Sequence, residues 1–131
     1  MVNKWLIIIS LAVVLIFGCI WESNFVNTSF DKLVKNLETY QVMLDESGEN
    51  VDSEANIGYM ENLHDEFHET EKVLKALIWH TGLKDIEVSM SRIIEYVQEN
   101  NRTEAMVETN ALIDYCKHYS LDFSVTMENI L

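Results

Sequence analysis

Seventeen consecutive residues without a charge, WLIIISLAVVLIFGCIW at positions 5–21, follow Lys4 and end directly before Glu22. As a helix rising about 1.5 Å per residue, the run is roughly 25 Å long, at the short end of what a hydrocarbon core of about 30 Å accepts. Trp5 and Trp21 bracket it, placing an amphipathic ring at each water interface, and Lys4, the only base nearby, lies on the amino side. By the distribution of positive charge, the run reads as a single-pass anchor with its amino end in the cytoplasm and the remaining chain outside the cell membrane.

Two processing routes compete with a retained anchor. A cleaved secretory signal peptide has the same short apolar run behind a basic residue, although no clear small-residue cleavage site follows here. Gly18-Cys19 matches the pattern at which a bacterial lipoprotein is cut and its cysteine lipidated. Phe17 is bulkier than that site prefers, and no flexible polar tether comes next. The division that follows is an anchor over residues 1–22 and an acidic extracytoplasmic helical domain over residues 23–131, of a size that supports one modest core.

Charge narrows the partners. After Trp21 the chain carries eight Lys and Arg against 22 Asp and Glu, a formal charge of −14. Nucleic acid and anionic lipid headgroups are bound by clustered bases, so this domain repels both. Cationic partners stay open, and acid that simply keeps an anchored domain soluble needs no partner at all. Cys19 lies in the anchor and Cys116 near the other end, leaving no pair for a disulfide framework in the domain. Cys116 reads as a small buried apolar residue.

Proline is absent and glycine occurs four times, so long helices meet few breakers and the fold class is all-α. Phe30, Leu33, Val34, Leu37, Tyr40, Val42 and Leu44 give a first helix one buried face, and nothing separates it from the anchor, so the two read as one rod. Gly48 supplies the left-handed residue of the turn that ends it. A second helix is expected over 53–80, with Ile57, Met60, Leu63, Phe67, Leu74, Leu77 and Ile78 inside, acids on the other face, Trp79 near its end and Gly82 as its stop signal. A third runs over 85–99, capped by Asp85, with Ile86, Met90, Ile93, Ile94 and Val97 inside. Asn101 and Glu104 form a capping box for a fourth over 101–119, with Ala105, Thr109, Leu112, Ile113 and Cys116 inside. Residues 121–131 alternate like a strand without a partner strand, which predicts an extended segment or short helix lying on the bundle. Short connections make successive helices antiparallel, giving an up-down bundle of about four helices on a membrane stalk.

The segment LIWHTGLKDIEVSMSRIIEYVQENNRTEAMVETNALIDY, with WESNFVNTSF after the anchor and the closing ENIL, resembles a family of small membrane-anchored proteins of Gram-positive bacteria, domain of unknown function 4363. The resemblance covers most of the chain. It implies a bacterial envelope protein with a helical domain outside the membrane and no activity, encoded near a multi-pass membrane protein and so part of a membrane complex. Cys19 is not part of that family's pattern.

One stretch has ligand chemistry. In ENLHDEFH, His64 and His68 stand four apart and Glu61 three before His64, so all three share a helix face and offer two imidazoles and a carboxylate to a metal ion. The match to known motifs is partial: the zinc-protease signature needs Glu directly after the first His, where Asp65 stands, and a di-metal bundle needs Glu-x-x-His on two helices, unless Asp114 and His118 contribute from the fourth. Ten acids without a base between Asp45 and Glu71 otherwise read as a solvated face. Asp114, Cys116 and His118 are not a nucleophile triad, because two-residue spacing turns Cys116 away from the others. No cofactor and no enzymatic role are expected. The reading is a structural or protein-interaction subunit of an envelope complex, held by the membrane and by another envelope protein; the alternative is a divalent-metal-binding protein using the second helix.

Overall fold

A computed structural model describes the backbone of residues 2–77 and 80–130 and the side chains of residues 3–77 and 82–119. Four helices account for nearly all of it: α1 Val2–Glu46, α2 Glu54–Leu77, α3 His80–Gln98 and α4 Arg102–Ile130. Ile78 and Trp79, assigned above to the second helix, lie outside the described residues, as do the side chains of 120–131.

The apolar run and the first bundle helix are one rod, 45 residues long. No proline interrupts it, and the helical hydrogen-bond ladder needs no other support to continue. Its two halves differ in surroundings. From Trp5 to Trp21 the large apolar side chains stand exposed, Trp5 at 69% and Trp21 at 57%. From Val26 onward a stripe at alternating four- and three-residue steps, Val26, Phe30, Leu33, Leu37, Tyr40 and Leu44, is buried. By length and composition α1 is the one described helix able to cross a membrane. Val42 falls off that stripe and is exposed, correcting its placement inside: it lies two residues from both Tyr40 and Leu44, about 200° round the helix.

Each helix packs on two others in a ring, α1 on α2 and α4, α3 on α2 and α4. All neighbours run antiparallel. Phe30 stacks on Tyr119 at a centroid distance of 5.2 Å, and eleven residues further up α1 Gln41 meets Asn110. The core joins Met60, Leu63, Phe67 and Leu74 of α2 to Leu83, Ile86, Met90, Ile93 and Val97 of α3 and Ala105, Leu112, Ile113 and Cys116 of α4. Stability of such helices comes mostly from burying these stripes together.

The turns carry defined chemistry. Gly48 has φ +64°, as expected of the residue ending α1. Asn100, φ 55°, closes α3: its N–H donates to Val97 O, and the Asn101 N–H donates to Tyr96 O at 2.7 Å, a Schellman ending. Asn101 Oδ1 accepts the Glu104 N–H at 3.3 Å, so one half of the expected capping box is present. The other half is replaced, since the Asn101 N–H is already committed to α3. This end of the bundle is sewn together by polar contacts. Buried Asn56 donates to Val51 O and Ser47 Oγ, Asn100 Oδ1 accepts the Val51 N–H, and Arg102 reaches Gly48 O and Asp45.

Three boundaries differ from expectation. α3 begins at His80, so Asp85 is interior to the helix and not its cap. Gly82 is likewise helical and stops nothing. Its lack of a side chain serves packing: a methyl group there would overlap the Tyr119 ring and press on the Tyr115 hydroxyl, which donates to Gly82 O at 3.3 Å. And α4 continues unbroken through 121–130 instead of ending near Tyr119 before an extended segment or separate short helix, because no glycine or proline stops it and the described residues hold no strand to pair with.

These environments predict opposite signs for one substitution at two helical glycines. Gly58 has open space around it, so Gly58→Ala stabilises the bundle by about 0.5–1 kcal/mol. Gly82→Ala forces the Tyr119 ring off Phe30 and destabilises it by about 1–2 kcal/mol, after the same propensity gain. Urea midpoints of the two variants, measured side by side, check the contrast.

Candidate functional site

The seam between α2 and α3 gathers the titratable groups. His64, His68 and Glu71 occupy one face of α2, at steps of four and three, and Glu87 faces them from α3. His68 Nδ1 lies 3.0 Å from Glu87 Oε1 and 3.9 Å from Glu71 Oε2. His64 Nε2 lies 3.8 Å from the same Glu87 oxygen. The ligand atoms of His68, Glu71 and Glu87 all fall within 4.8 Å of one another.

Glu71 is the unusual member. Its side chain is 2% exposed because it takes a place in the apolar stripe of α2, four after Phe67 and three before Leu74. Oε1 pairs with Lys75 at 3.4 Å, while Oε2 is buried with no hydrogen-bond partner, as is His64 Nε2. Burial raises the Glu71 pKa above the ordinary carboxylate value, and the facing Glu87 raises it further. Glu87 goes the other way: desolvation pushes it up, but a hydrogen bond from the Glu71 carboxyl when Glu71 carries its proton, together with the hydrogen bond and charge of His68 and the charge of His64, outweighs this and holds it low. The two carboxyls thus divide the work, Glu71 favouring the proton and Glu87 the charge.

Of the residues singled out in the sequence, the structure brings together His64 and His68 but not Glu61, which is exposed and outside the cluster. Helical spacing admits either Glu61 or Glu71 beside the imidazoles; only the position of α3 decides between them. Glu71 was not singled out in the sequence, and Glu87 carries no signal without the pairing of α2 and α3. Asp114 and His118 do not contribute, because α2 and α4 are diagonal in the ring and their backbones do not come close among the described residues. His118 Nδ1 instead lies 2.7 Å from Asp114 O on its own helix.

Cys116 is fully buried, as expected of a small apolar residue, and burial pushes its thiol up to about 12. A second feature lies between α1 and α2. A groove of about 470 Å³ is lined by Phe25, Ser29, Leu33, Phe67, Thr70 and Leu74, among others. At its foot Phe25 stacks on Trp21 at 5.5 Å, so the groove is continuous with the exposed apolar face of α1.

The profile of DUF4363, a domain of unknown function, matches residues 20–130, which is the whole four-helix ring and only the last residues of the apolar run. The chain belongs to this family. No curated protein and no solved structure matches it. The DUF4363 domain here is therefore described by its own geometry: an antiparallel helical ring, one half-satisfied buried carboxylate and one apolar groove.

The buried thiol has a measurable consequence. The ordinary pKa is 9.0 and the folded value is about 12, so with rising pH the unfolded chain releases this proton first. Stability is full below about pH 9 and falls above it, by up to about 1.4 kcal/mol per pH unit. Tyr40, fully buried with its hydroxyl unpartnered and its pKa likewise raised by desolvation, adds the same sign from about one unit higher. Urea midpoints at pH 8, 9 and 10 are expected to decline for the native chain and to decline less between pH 9 and 10 for Cys116→Ala.

Proposed function

We propose that this DUF4363 chain is a membrane-anchored interaction subunit, single-pass with its amino end in the cytoplasm, whose acidic helical bundle stands outside the cytoplasm and joins a bacterial envelope complex. The observation that carries the reading is the unbroken α1. A helix with an exposed apolar first half and a core-forming second half, Val2–Glu46, transmits any constraint on the one directly to the other. Exposed apolar surface on that scale is unfavourable in water and is removed by lipid or by protein. Lys4 before the run and the strongly acidic chain after it favour the stated orientation.

The groove between α1 and α2 supplies the docking surface in this reading. Its occupant is an apolar segment of a second membrane protein, reaching the bundle from the lipid side, because the groove is continuous through Phe25 and Trp21 with the apolar run. The reading assigns no enzymatic role. Cys116, the soluble domain's one cysteine, is sealed in the core with its thiol pushed up, which argues against nucleophilic use.

The test is purification of the full-length chain from its own membranes in mild detergent, with mass spectrometry of the intact chain and of whatever accompanies it. The expected result is a second membrane protein in fixed ratio, lost in Ser29→Arg/Thr70→Arg, which places two bulky cations in the groove without touching the buried stripes. Recovery of the chain alone, or retention of the partner by that variant, overturns the docking proposal. The intact mass also separates an unmodified anchor from cleavage and lipidation at Cys19.

A further inference from the structure

The geometry of the α2–α3 seam points to a metal site: we propose that His68, Glu71 and Glu87 bind one divalent ion of the zinc class, with water in the remaining position, and so clamp α2 to α3. This goes beyond the anchoring role and does not depend on it.

Two independent observations carry the site. First, the donor atoms already stand close to a coordination shell. Zinc bonds imidazole nitrogen and carboxylate oxygen at about 2.0–2.2 Å, so the ligand atoms of a tetrahedral site lie about 3.3–3.5 Å apart. The separations here, 3.0 Å for His68 Nδ1 to Glu87 Oε1 and 3.9 Å for His68 Nδ1 to Glu71 Oε2, bracket that edge, and the ligand atoms of all three residues fall within 4.8 Å of one another. His64 Nε2, 3.8 Å from Glu87 Oε1, stands beside this set and outside it.

Second, one ligand atom is buried and faces the set with no N–H or hydroxyl donor to satisfy it. Glu71 Oε2, on a side chain 2% exposed, lies 3.9 Å from His68 Nδ1 and has no such partner when the carboxyl is ionised. A buried carboxylate oxygen with no donor is costly unless protonated or ligated, and a cation satisfies it together with the facing Glu87. Lys75 holds the other oxygen and fixes the carboxylate plane.

The ligand set names the class of ion. One imidazole with two carboxylates suits zinc and its neighbours, whereas calcium and magnesium prefer oxygen alone. His68 would ligate through Nδ1 with its ring proton on Nε2. His68 and Glu71 share one face of α2 and Glu87 comes from α3, so the ion ties the two helices together.

Cobalt(II) titration of the untagged full-length chain in detergent, after chelation and dialysis, tests the site. The expected result is saturation at one Co²⁺ per chain with the intense visible bands of a four-coordinate site, bleached by Zn²⁺. Glu71→Gln and Glu87→Gln, close in shape to the native residues, are each expected to weaken binding by more than about 100-fold while far-UV circular dichroism keeps its helical signal. Glu61→Gln, on the exposed part of the same helix, is expected to bind as the native chain does. Weak binding that does not saturate at one ion, or undiminished binding by the folded Glu71→Gln/Glu87→Gln chain, overturns the proposal.

Discussion

A helix with no place to stop is the constraint on which the remaining structure rests. α1 contains neither proline nor a glycine in a turn until Gly48, and its backbone groups are satisfied within the helix throughout. The apolar first half therefore cannot fold back onto the bundle, and stays exposed whatever the second half does. The other helices must then assemble around the half that remains, from Val26 upward. That is why the ring closes with α4 back on α1 and why the core stripe of α1 begins only after the apolar run has ended.

Closure of the ring depends on how near α3 and α4 can approach. Gly82 lets the Tyr115 and Tyr119 rings lie against the α3 backbone, and Tyr119 in turn stacks on Phe30 of α1. One absent side chain thus connects three helices at the end of the bundle nearest the apolar run. The opposite end uses the contrary strategy. There the buried Asn56 amide, Asn100 and Arg102 fill the loops with hydrogen bonds to backbone carbonyls and amides that the turns leave over.

What could be read before the structure follows from what a single helix determines by itself. Most of the stripes of α1, α3 and α4 was legible between Phe30 and Leu44, Ile86 and Val97, and Ala105 and Cys116, with Val42 the misplaced residue and Val26 and Leu83 the missed ones, since three- and four-residue spacing marks a face without reference to any neighbour. Gly82 was read as a stop because glycine ends many helices; only the position of Tyr119 reveals that it is a contact. Asp85 looked like a cap for the same local reason. At the candidate site His64 and His68 were legible from their spacing on α2, but Glu61 and Glu71 are equivalent until α3 shows which end of the face it covers. Glu87 belongs to another helix and could not be found from spacing at all.

The two buried polar side chains of α2 have opposite standing, and the contrast bears on why Glu71 is there. Asn56 is buried with its amide nitrogen donating to two acceptors, so its burial is compensated in place. Glu71 is buried to the same degree with one oxygen paired to a half-exposed Lys75 and the other unpaired. A leucine or methionine in that stripe position would continue the apolar face between Phe67 and Leu74 without any desolvation penalty. The acid is therefore the less stable choice for packing α2 on α3 alone. Its presence gives that seam a response, to protons or to a cation, that an apolar residue would not have, and it lies on the side of the ring remote from α4. Any such response acts on the α2–α3 contact while α1 and its apolar extension are held in place by their own packing on α4.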